Sequence, residues 1–197
     1  MELNMEPKLM EIAERIRTLR DITGATVADM AALIGISEDE YKDFEAGKND
    51  FYFTFLYKCA EKFGVDMIEL LTGEKPYLTG YSIIRGGYGL PIKRGRGFEY
   101  YHLAARFRDK FAEPFLVKAP YREEEQDLPI EMNKHNGQEF NYILSGRLRY
   151  VFEDHVEELG AGDSVYYDSG RNHGMIAVGG EDCVFLAMVL KDPEEGE

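Results

Sequence analysis

The sequence has only two cysteines and no long apolar segment, and both shortages narrow the classes of protein that it can encode. Cys59 and Cys183 lie far apart in apolar surroundings, which is typical of reduced core residues in a cytosolic protein and argues against a disulfide between them. No apolar run approaches the ~20 residues that a membrane-spanning helix needs. The segment after Met1 has neither a basic start nor an apolar stretch, so no signal peptide is expected. We therefore expect a cytoplasmic protein with no membrane partner.

Basic residues are also scarce. The chain has 23 Lys and Arg against 37 Asp and Glu, which gives a net charge of −14. Proteins that bind nucleic acids usually have an excess of Lys and Arg, because these residues displace counterions from phosphates. The overall charge therefore disfavours nucleic-acid binding unless a local basic patch supplies the contacts. The hydrophobic content of 44% is ample for a core, and 197 residues suit one large domain or two small ones.

The first part of the chain has the pattern of short helices joined by tight turns. Apolar residues recur at helical spacing through residues 8–72. Thr26 with Asp29, and Ser37 with Glu40, have the spacing of capping boxes at the starts of helices. Five helices joined by turns of two to four residues predict a compact bundle.

From Tyr81 onward the apolar period changes from helical to alternating. Short alternating segments lie between Gly, Pro and Asp turn signals, at residues 98–103, 114–119, 139–145, 147–153, 163–167, 174–178 and 183–190. Many short strands of this kind predict an antiparallel sandwich or barrel. The two halves together predict a two-domain α+β protein, with a five-helix domain at 6–73, a linker at 74–80, a β domain at 81–192 and an acidic tail at 193–197.

Two histidines and one glutamate in the second part form a candidate metal site. His135 and Glu139 are separated by three residues, and His173 follows in a Gly- and Asp-rich segment. Two imidazoles and a carboxylate form a facial triad, which holds a divalent metal on one side and leaves positions open opposite. Because four residues of extended strand span roughly 13 Å, His135 and Glu139 can share an ion only if the chain turns between them. Asn136-Gly137 supplies such a turn, because both residues tolerate positive φ.

Alternation along the strands predicts which side chains accompany the triad inside the β domain. On the strand that begins at Glu139, the inward neighbours are Asn141 and Ile143, and Met175 shares a face with His173. Phe115 and Val117 are expected on a facing strand. A mostly apolar pocket with a few polar groups is typical of small-molecule sites. The mixed nitrogen and oxygen donors suit Fe, Mn, Ni or Zn, without a choice among them.

The spacing of these residues resembles the two motifs of the cupin superfamily. The first motif matches at His135, Glu139 and Gly146, with Asn133 where the family has another histidine. The second motif matches at Gly162, Gly170 and His173, with Asp168 in place of proline and Ala177 in place of asparagine. The resemblance covers about 115 residues. It implies a double-stranded β-helix, also called a jelly-roll barrel, with an internal metal and Asn133 as a candidate fourth ligand.

The helical part resembles the DNA-binding domain of phage repressors and XRE-type regulators over about 65 residues. The matching positions are Leu19-Arg20, Gly24, Thr26, Met30-Ala31, Gly35-Ile36-Ser37, Glu45, Gly47-Lys48 and Phe63-Gly64-Val65. The resemblance implies a helix-turn-helix with DNA contacts at Thr26, Ser37, Tyr41, Lys42 and Lys48. Against this implication, residues 1–75 contain 9 Lys and Arg but 16 Asp and Glu, a net of −7. The recognition helix itself has Glu38, Asp39 and Asp43, and clustered carboxylates repel phosphates.

Three functions remain open on these observations. The first, which we favour, is a transcription regulator: a small molecule binds at the metal of a cupin sensor domain and changes the spacing of paired helix-turn-helix heads in a homodimer. The second is a non-haem metal enzyme, since the domain order also resembles the iron epoxidases that act on hydroxypropylphosphonate. In that case Tyr101 and its neighbour Tyr100 would contact substrate, but Gly24 replaces the lysine of those enzymes. The third is a metal-free binding barrel.

Overall fold

A computed structural model describes residues 9–87, 89–92 and 97–191. These residues form two compact units. The first contains residues 9–82, Ile92 and Ala105–Arg108, and the second contains the rest of the described chain. The start of the predicted first domain, at residues 6–8, and the predicted acidic tail lie outside the described residues, so the predicted domain boundaries stay a prediction.

The described residues of the N-terminal part, from residue 9 onward, contain five helices. They are α1 (Leu9–Thr23), α2 (Val27–Ile34), α3 (Glu38–Glu45), α4 (Phe53–Phe63) and α5 (Met67–Thr72). Thr26 and Asp29 form the predicted capping box of α2, because the Thr26 hydroxyl accepts from Asp29 N at 3.1 Å and the Asp29 carboxylate accepts from Thr26 N at 2.9 Å. Ser37 caps α3 by accepting from Glu40 N at 3.2 Å. The five-helix prediction is confirmed.

A buried ion pair joins the first and third helices. The Arg20 guanidinium donates to both carboxylate oxygens of Glu45, at 2.6 and 3.1 Å, and the two side chains are only 13% and 9% exposed. The apolar side of α3 packs against α4, where the Phe44 and Phe55 rings lie 4.5 Å apart. This packing fixes which side of α3 faces the solvent.

Among the described residues, nine strands form two antiparallel sheets after the helices. They are β1 (Leu90–Ile92), β2 (Glu99–His102), β3 (Ala112–Ala119), β4 (Gln138–Ser145), β5 (Arg147–Phe152), β6 (His155–Gly160), β7 (Ser164–Asp168), β8 (His173–Val178) and β9 (Cys183–Leu190). The order is β1-β2-β3-β9-β4-β7 in the larger sheet and β6-β5-β8 in the smaller one. The predicted α+β class with an antiparallel β domain is therefore confirmed.

Strict alternation along the central strands places one row of side chains inside the β domain. In β9, Cys183, Phe185, Ala187 and Val189 are buried, and the residues between them are not. Cys59 and Cys183 are both buried free thiols, as predicted. Among the described residues, no helix is long and apolar enough to cross a membrane.

Candidate metal centre

The β4 strand positions the carboxylate of the predicted triad. Glu139, Asn141 and Ile143 alternate with more exposed residues, and all three are buried. In the β4–β9 register, Glu139 is opposite Val189, and Asn141 is opposite Ala187. Because cross-strand partners share a face, these side chains point into the β domain, as the sequence predicts.

The predicted turn before β4 is present and brings His135 back toward Glu139. Gly137 has φ 96°, a conformation that favours glycine. Two backbone hydrogen bonds fix the turn against the end of β7, from His135 N to Ser169 O at 2.8 Å and from Ser169 N to Gly137 O at 3.2 Å. The turn therefore supplies the close approach that a straight strand cannot.

His173 enters the cluster as the first residue of β8. Its backbone pairs with Asn133 in both directions, with N–O distances of 2.7 and 3.0 Å. Paired residues of an antiparallel bridge have their side chains on the same side. The structure therefore places Asn133 beside His173, while its role as a fourth ligand stays a prediction.

The donor atoms of His135, Glu139 and His173 converge. One ligand atom from each residue lies within 4.8 Å of the other two. His135 Nε2 is 3.2 Å from Glu139 Oε2, and the two imidazole rings lie 5.5 Å apart at nearly right angles. All three side chains are buried, at 4%, 8% and 5% exposure.

Hydrogen bonds orient both imidazoles. His135 Nδ1 lies 3.1 Å from the Asn136 carbonyl, and His173 Nδ1 lies 2.9 Å from the Arg171 carbonyl. Outer hydrogen bonds of this kind orient histidine ligands in metal sites. His173 donates from Nδ1 because a carbonyl oxygen only accepts, so its Nε2 has the lone pair. His135 Nε2 donates to the Glu139 carboxylate, and a metal between the two atoms would take the place of that proton.

The protonation states suit a metal. Burial lowers the pKa of His173, which favours the neutral imidazole. Burial raises the pKa of Glu139, but hydrogen bonds and the nearby imidazoles outweigh this effect, so that the pKa is lowered and the group is ionised. Two imidazoles and an ionised carboxylate fit a divalent transition metal.

Two tyrosines that the sequence analysis did not place at the site belong to the cluster. Tyr167 is opposite Glu139 in the β4–β7 register, and its hydroxyl donates a hydrogen bond to the Glu139 carboxylate. Asn141 Nδ2 donates to Glu139 Oε1 at 3.1 Å. The Tyr150 ring, from the smaller sheet, lies 5.1 Å from the Tyr167 ring. The alternation of the Tyr167 strand was a usable signal, but no local pattern indicates Tyr150.

The predicted pocket residues fall on the inward face with one exception. Phe115, Val117, Asn141 and Ile143 are fully buried there, and Met175 is opposite Tyr150 on the face of His173. The placement of Tyr101 in the pocket is wrong. Tyr101 is opposite Leu116 on the outer face, whereas Tyr100 is opposite the inward Val117, because neighbouring residues of a strand point to opposite faces.

The predicted DNA contacts differ in their exposure. Thr26 and Ser37 are exposed helix caps. Tyr41 is fully buried and its ring stacks on Phe55, so the prediction that Tyr41 contacts DNA is wrong. Lys42 and Lys48 are exposed, but each pairs with a carboxylate of α3, at 3.1 Å to Asp39 and 2.7 Å to Asp43.

Other basic side chains of the helices bind the protein itself. Arg15 donates to the carbonyls of Leu70 and Leu71 at the end of α5, at 3.1 and 2.6 Å. Lys58 donates to the Leu33 carbonyl at the end of α2, at 3.0 Å. Cations at helix ends satisfy carbonyls that lack intrahelical partners. These contacts stabilise the bundle and reduce the basic surface.

A second buried polar cluster, which the sequence did not indicate, lies at His102. His102 Nδ1 accepts from Ala104 N at 2.9 Å, and Nε2 donates to Glu113 at 2.6 Å. Lys110 and Lys191 lie 3.7 and 3.5 Å from the Glu113 carboxylate. Burial raises the pKa of Glu113, but the His102 hydrogen bond and the surrounding cations lower it more.

Comparisons with known proteins agree with the two-part architecture. Residues 13–76 match the family model of a helix-turn-helix domain, and residues 124–189 match that of a cupin domain. The predicted resemblance to these two domains is therefore confirmed. No curated protein matches the sequence.

Solved structures share the order of the two domains. A helix-turn-helix family transcriptional regulator from Vibrio cholerae is similar with a TM-score of 0.65 and 21% identity, covering 93% of this chain and 96% of that chain. A hydroxypropylphosphonic acid epoxidase from S. wedmorenis, in complex with fosfomycin, is similar with a TM-score of 0.47 and 21% identity, covering 92% and 98%. The first of these likenesses shows the fold that the two chains have in common.

Proposed function

We propose that this helix-turn-helix and cupin protein is a cytoplasmic transcription regulator, in which the cupin domain senses a small molecule at a divalent metal. The observation that carries the proposal is the presence, in one chain, of a helix-turn-helix unit and of a buried His135, Glu139 and His173 cluster. A regulator needs both a DNA-binding part and a ligand-binding part. The cluster supplies a site on which a ligand can act.

The metal would be held by His135 Nε2, His173 Nε2 and a Glu139 oxygen, with Asn133 as a candidate fourth ligand. Iron, manganese, nickel and zinc all suit this donor set. When bound, the metal supplies a Lewis acid that anchors an oxygen of the ligand. Hydrogen bonds from Asn141 and the Tyr167 hydroxyl hold the Glu139 carboxylate in orientation. The apolar inward residues, such as Phe115 and Ile143, exclude water from the ligand.

A homodimer would connect the ligand to DNA. The outer face of β4 and β7 has large exposed apolar side chains at Tyr142, Leu144 and Tyr166, with 39%, 48% and 56% exposure. Contiguous exposed apolar surface is typical of protein interfaces. Paired helix-turn-helix heads bind half-sites about 34 Å apart, so a small rotation of each head changes DNA affinity.

DNA binding by α3 would be weak at physiological salt. Lys42 and Lys48 are its nearby cations, and Asp39 and Asp43 already pair with them. A lysine that contacts phosphate must leave its carboxylate, and the carboxylate then repels the phosphates. We therefore expect contacts at Thr26, Ser37, Lys42 and Lys48 that depend steeply on salt.

The acidic character of α3, whose nearby lysines already pair with carboxylates, favours a second candidate. This candidate is a metal-dependent enzyme whose helical part has only a structural role. Its discriminating property is turnover: the metal-loaded protein would consume O₂ in the presence of small hydroxy acids or phosphonates. A regulator would bind such compounds without consuming O₂.

The test combines metal analysis with DNA selection. The purified protein is expected to contain close to one divalent metal per chain, and His173→Ala is expected to lose it. Selection from random duplexes, followed by gel shifts at 50 to 200 mM salt, would identify an operator. Failure to select any sequence, together with metal-dependent O₂ consumption, would establish the enzyme instead.

Charge variants make the DNA test specific to α3. Asp39→Asn with Asp43→Asn releases Lys42 and Lys48, so DNA affinity is expected to rise and the salt slope to steepen by roughly two. The control is Glu157→Gln with Glu181→Gln, which removes the same charge from exposed positions of the β domain. Equal effects of the two double variants would contradict a DNA-binding role for α3.

A further inference from the structure

Two of the buried polar atoms near Glu139 have no hydrogen-bond partner among the residues that the structure describes. They are Asn141 Oδ1 and the Tyr150 hydroxyl, on side chains that are 0% and 5% exposed. Asn141 lies on the inward face of β4, next to Glu139, and Tyr150 faces it from β5 with its ring 5.1 Å from that of Tyr167. Buried polar groups in folded proteins nearly always have partners. Two unpaired polar atoms next to the same metal site therefore indicate a ligand that supplies the missing hydrogen bonds.

The orientation of the Asn141 amide is determined by its neighbours. Its Nδ2 donates to Glu139 Oε1 at 3.1 Å and to the Tyr167 hydroxyl oxygen at 3.3 Å. If the amide were flipped, its oxygen would face the Glu139 carboxylate, which only accepts. Asn141 Oδ1 therefore points away from both groups and needs a hydrogen-bond donor.

The charge of the metal site and the size of the neighbouring side chains restrict the rest of the ligand. A divalent metal, two neutral imidazoles and one carboxylate leave a net charge of about +1, which favours a monoanion. Asn141 is opposite Ala187, the smallest inward side chain of β9, which favours a small ligand group beside Oδ1. Apolar Phe115 and Ile143 line the neighbouring positions and favour a short hydrocarbon portion.

We propose that the ligand is a small 2-hydroxy acid, whose hydroxyl donates to Asn141 Oδ1 and whose carboxylate accepts from the Tyr150 hydroxyl. The inference rests on the proposed metal site. An ionised carboxylate has no donor for Asn141, so the hydroxyl is the group that Asn141 selects. Sites that hydrogen-bond a ligand hydroxyl discriminate strongly against analogues without it, because a buried acceptor is then left unpaired.

The test compares lactate with propionate, which lacks only the hydroxyl. Both are titrated calorimetrically into the full-length protein loaded with Mn²⁺, after metal content has been measured. Lactate is expected to bind about ten- to a hundredfold more tightly than propionate. Asn141→Leu is expected to abolish this preference, whereas Tyr150→Phe is expected to weaken both acids by a similar factor, of about tenfold.

A stability measurement separates this role from a structural one. Because the Tyr150 hydroxyl has no partner in the described part of the chain, Tyr150→Phe is expected to leave the thermal unfolding of the ligand-free protein unchanged or raise its midpoint. Tyr142→Phe, on the outer face of β4, is the matched control and should affect neither binding nor unfolding.

The outcomes are distinguishable. Equal binding of lactate and propionate to the Mn²⁺-loaded protein, or binding of neither, would overturn the inference and leave the metal site standing. The inference would also be overturned if Tyr150→Phe lowered the unfolding midpoint without changing binding. Failure of the protein to bind Mn²⁺ or any other divalent metal would refute the proposed function itself.

Discussion

Replacing Glu139 by glutamine tests the metal site through its effects on stability without and with metal. In the structure, Glu139 Oε2 accepts a hydrogen bond from His135 Nε2 at 3.2 Å. Glutamine has the same length and keeps one oxygen acceptor, so the variant replaces a hydrogen bond to a charged group by one between neutral groups. It also removes the only charged donor that we assign to the metal.

The magnitudes follow from these contacts. A hydrogen bond to a charged group contributes about 1.5–3 kcal/mol and one between neutral groups about 1 kcal/mol, so the metal-free variant is expected to be less stable than the wild type by about 1–2 kcal/mol. At a metal concentration about 100 times the dissociation constant, the wild type gains about 2.7 kcal/mol. A hundredfold loss of metal affinity leaves the variant with a gain of only about 0.4 kcal/mol.

The free energy of unfolding of the β domain can be measured by urea titration. The chain has 13 tyrosines and no tryptophan, so tyrosine fluorescence and near-ultraviolet circular dichroism report on the transition. Each protein is measured in EDTA and in excess metal, with Glu157→Gln as an exposed control. The reasoning is refuted if Glu139→Gln keeps the full stabilisation by metal, or if the metal-free variant is more stable than the metal-free wild type.

Three further predictions concern the two units separately. Arg20→Ala leaves the buried Glu45 carboxylate unpaired, so urea titration should show a loss of about 3–5 kcal/mol. Glu113 has a pKa below its usual 4.5, so its contribution to folding stability is present above pH 4.5 and is lost as the pH falls further. The free energy of unfolding of Glu113→Gln should therefore decrease less at acid pH than that of the wild type. Gly146→Ala puts a methyl group 2.4 Å from the Asp182 carbonyl at φ 74°, and thermal unfolding should show a loss of about 3 kcal/mol.

Each of these has an outcome that contradicts it. Arg17→Ala, on the exposed side of α1, is the control for Arg20, and equal losses would mean that the ion pair contributes little. If the free energy of unfolding of Glu113→Gln fell at acid pH as steeply as that of the wild type, the carboxylate would not be ionised below its usual pKa in the folded state. Wild-type stability of Gly146→Ala would mean that the turn after β4 can move to accept a side chain.

Helices and most strands were predictable because their signals are local. The capping pairs at Thr26 and Ser37 mark the starts of α2 and α3, and the alternation at 183–190 matches β9 at both ends. β6 was missed because His155–Gly160 is an edge strand whose residues are mostly exposed. Without a buried face, a strand has no apolar alternation to detect.

The candidate metal site was also accessible from the sequence, in part. The spacing of His135 and Glu139 and the Asn136-Gly137 turn predicted their approach, and the structure has it. Tyr101 was misplaced because two adjacent tyrosines give no indication of which one points inward. The register of β2 against β3 decides that, and it assigns Tyr100.

The sequence by itself determined the elements, the two domain types and the identity of the three converging donors, because each depends on residues close together or on a fixed motif. Tertiary structure alone decided that Tyr167 and Tyr150 reach the cluster, that Tyr41 is buried and that Arg20 pairs with Glu45. These contacts join residues from different strands, sheets or helices. Their positions depend on strand register and helix packing, which many distant side chains fix together and which no local pattern contains.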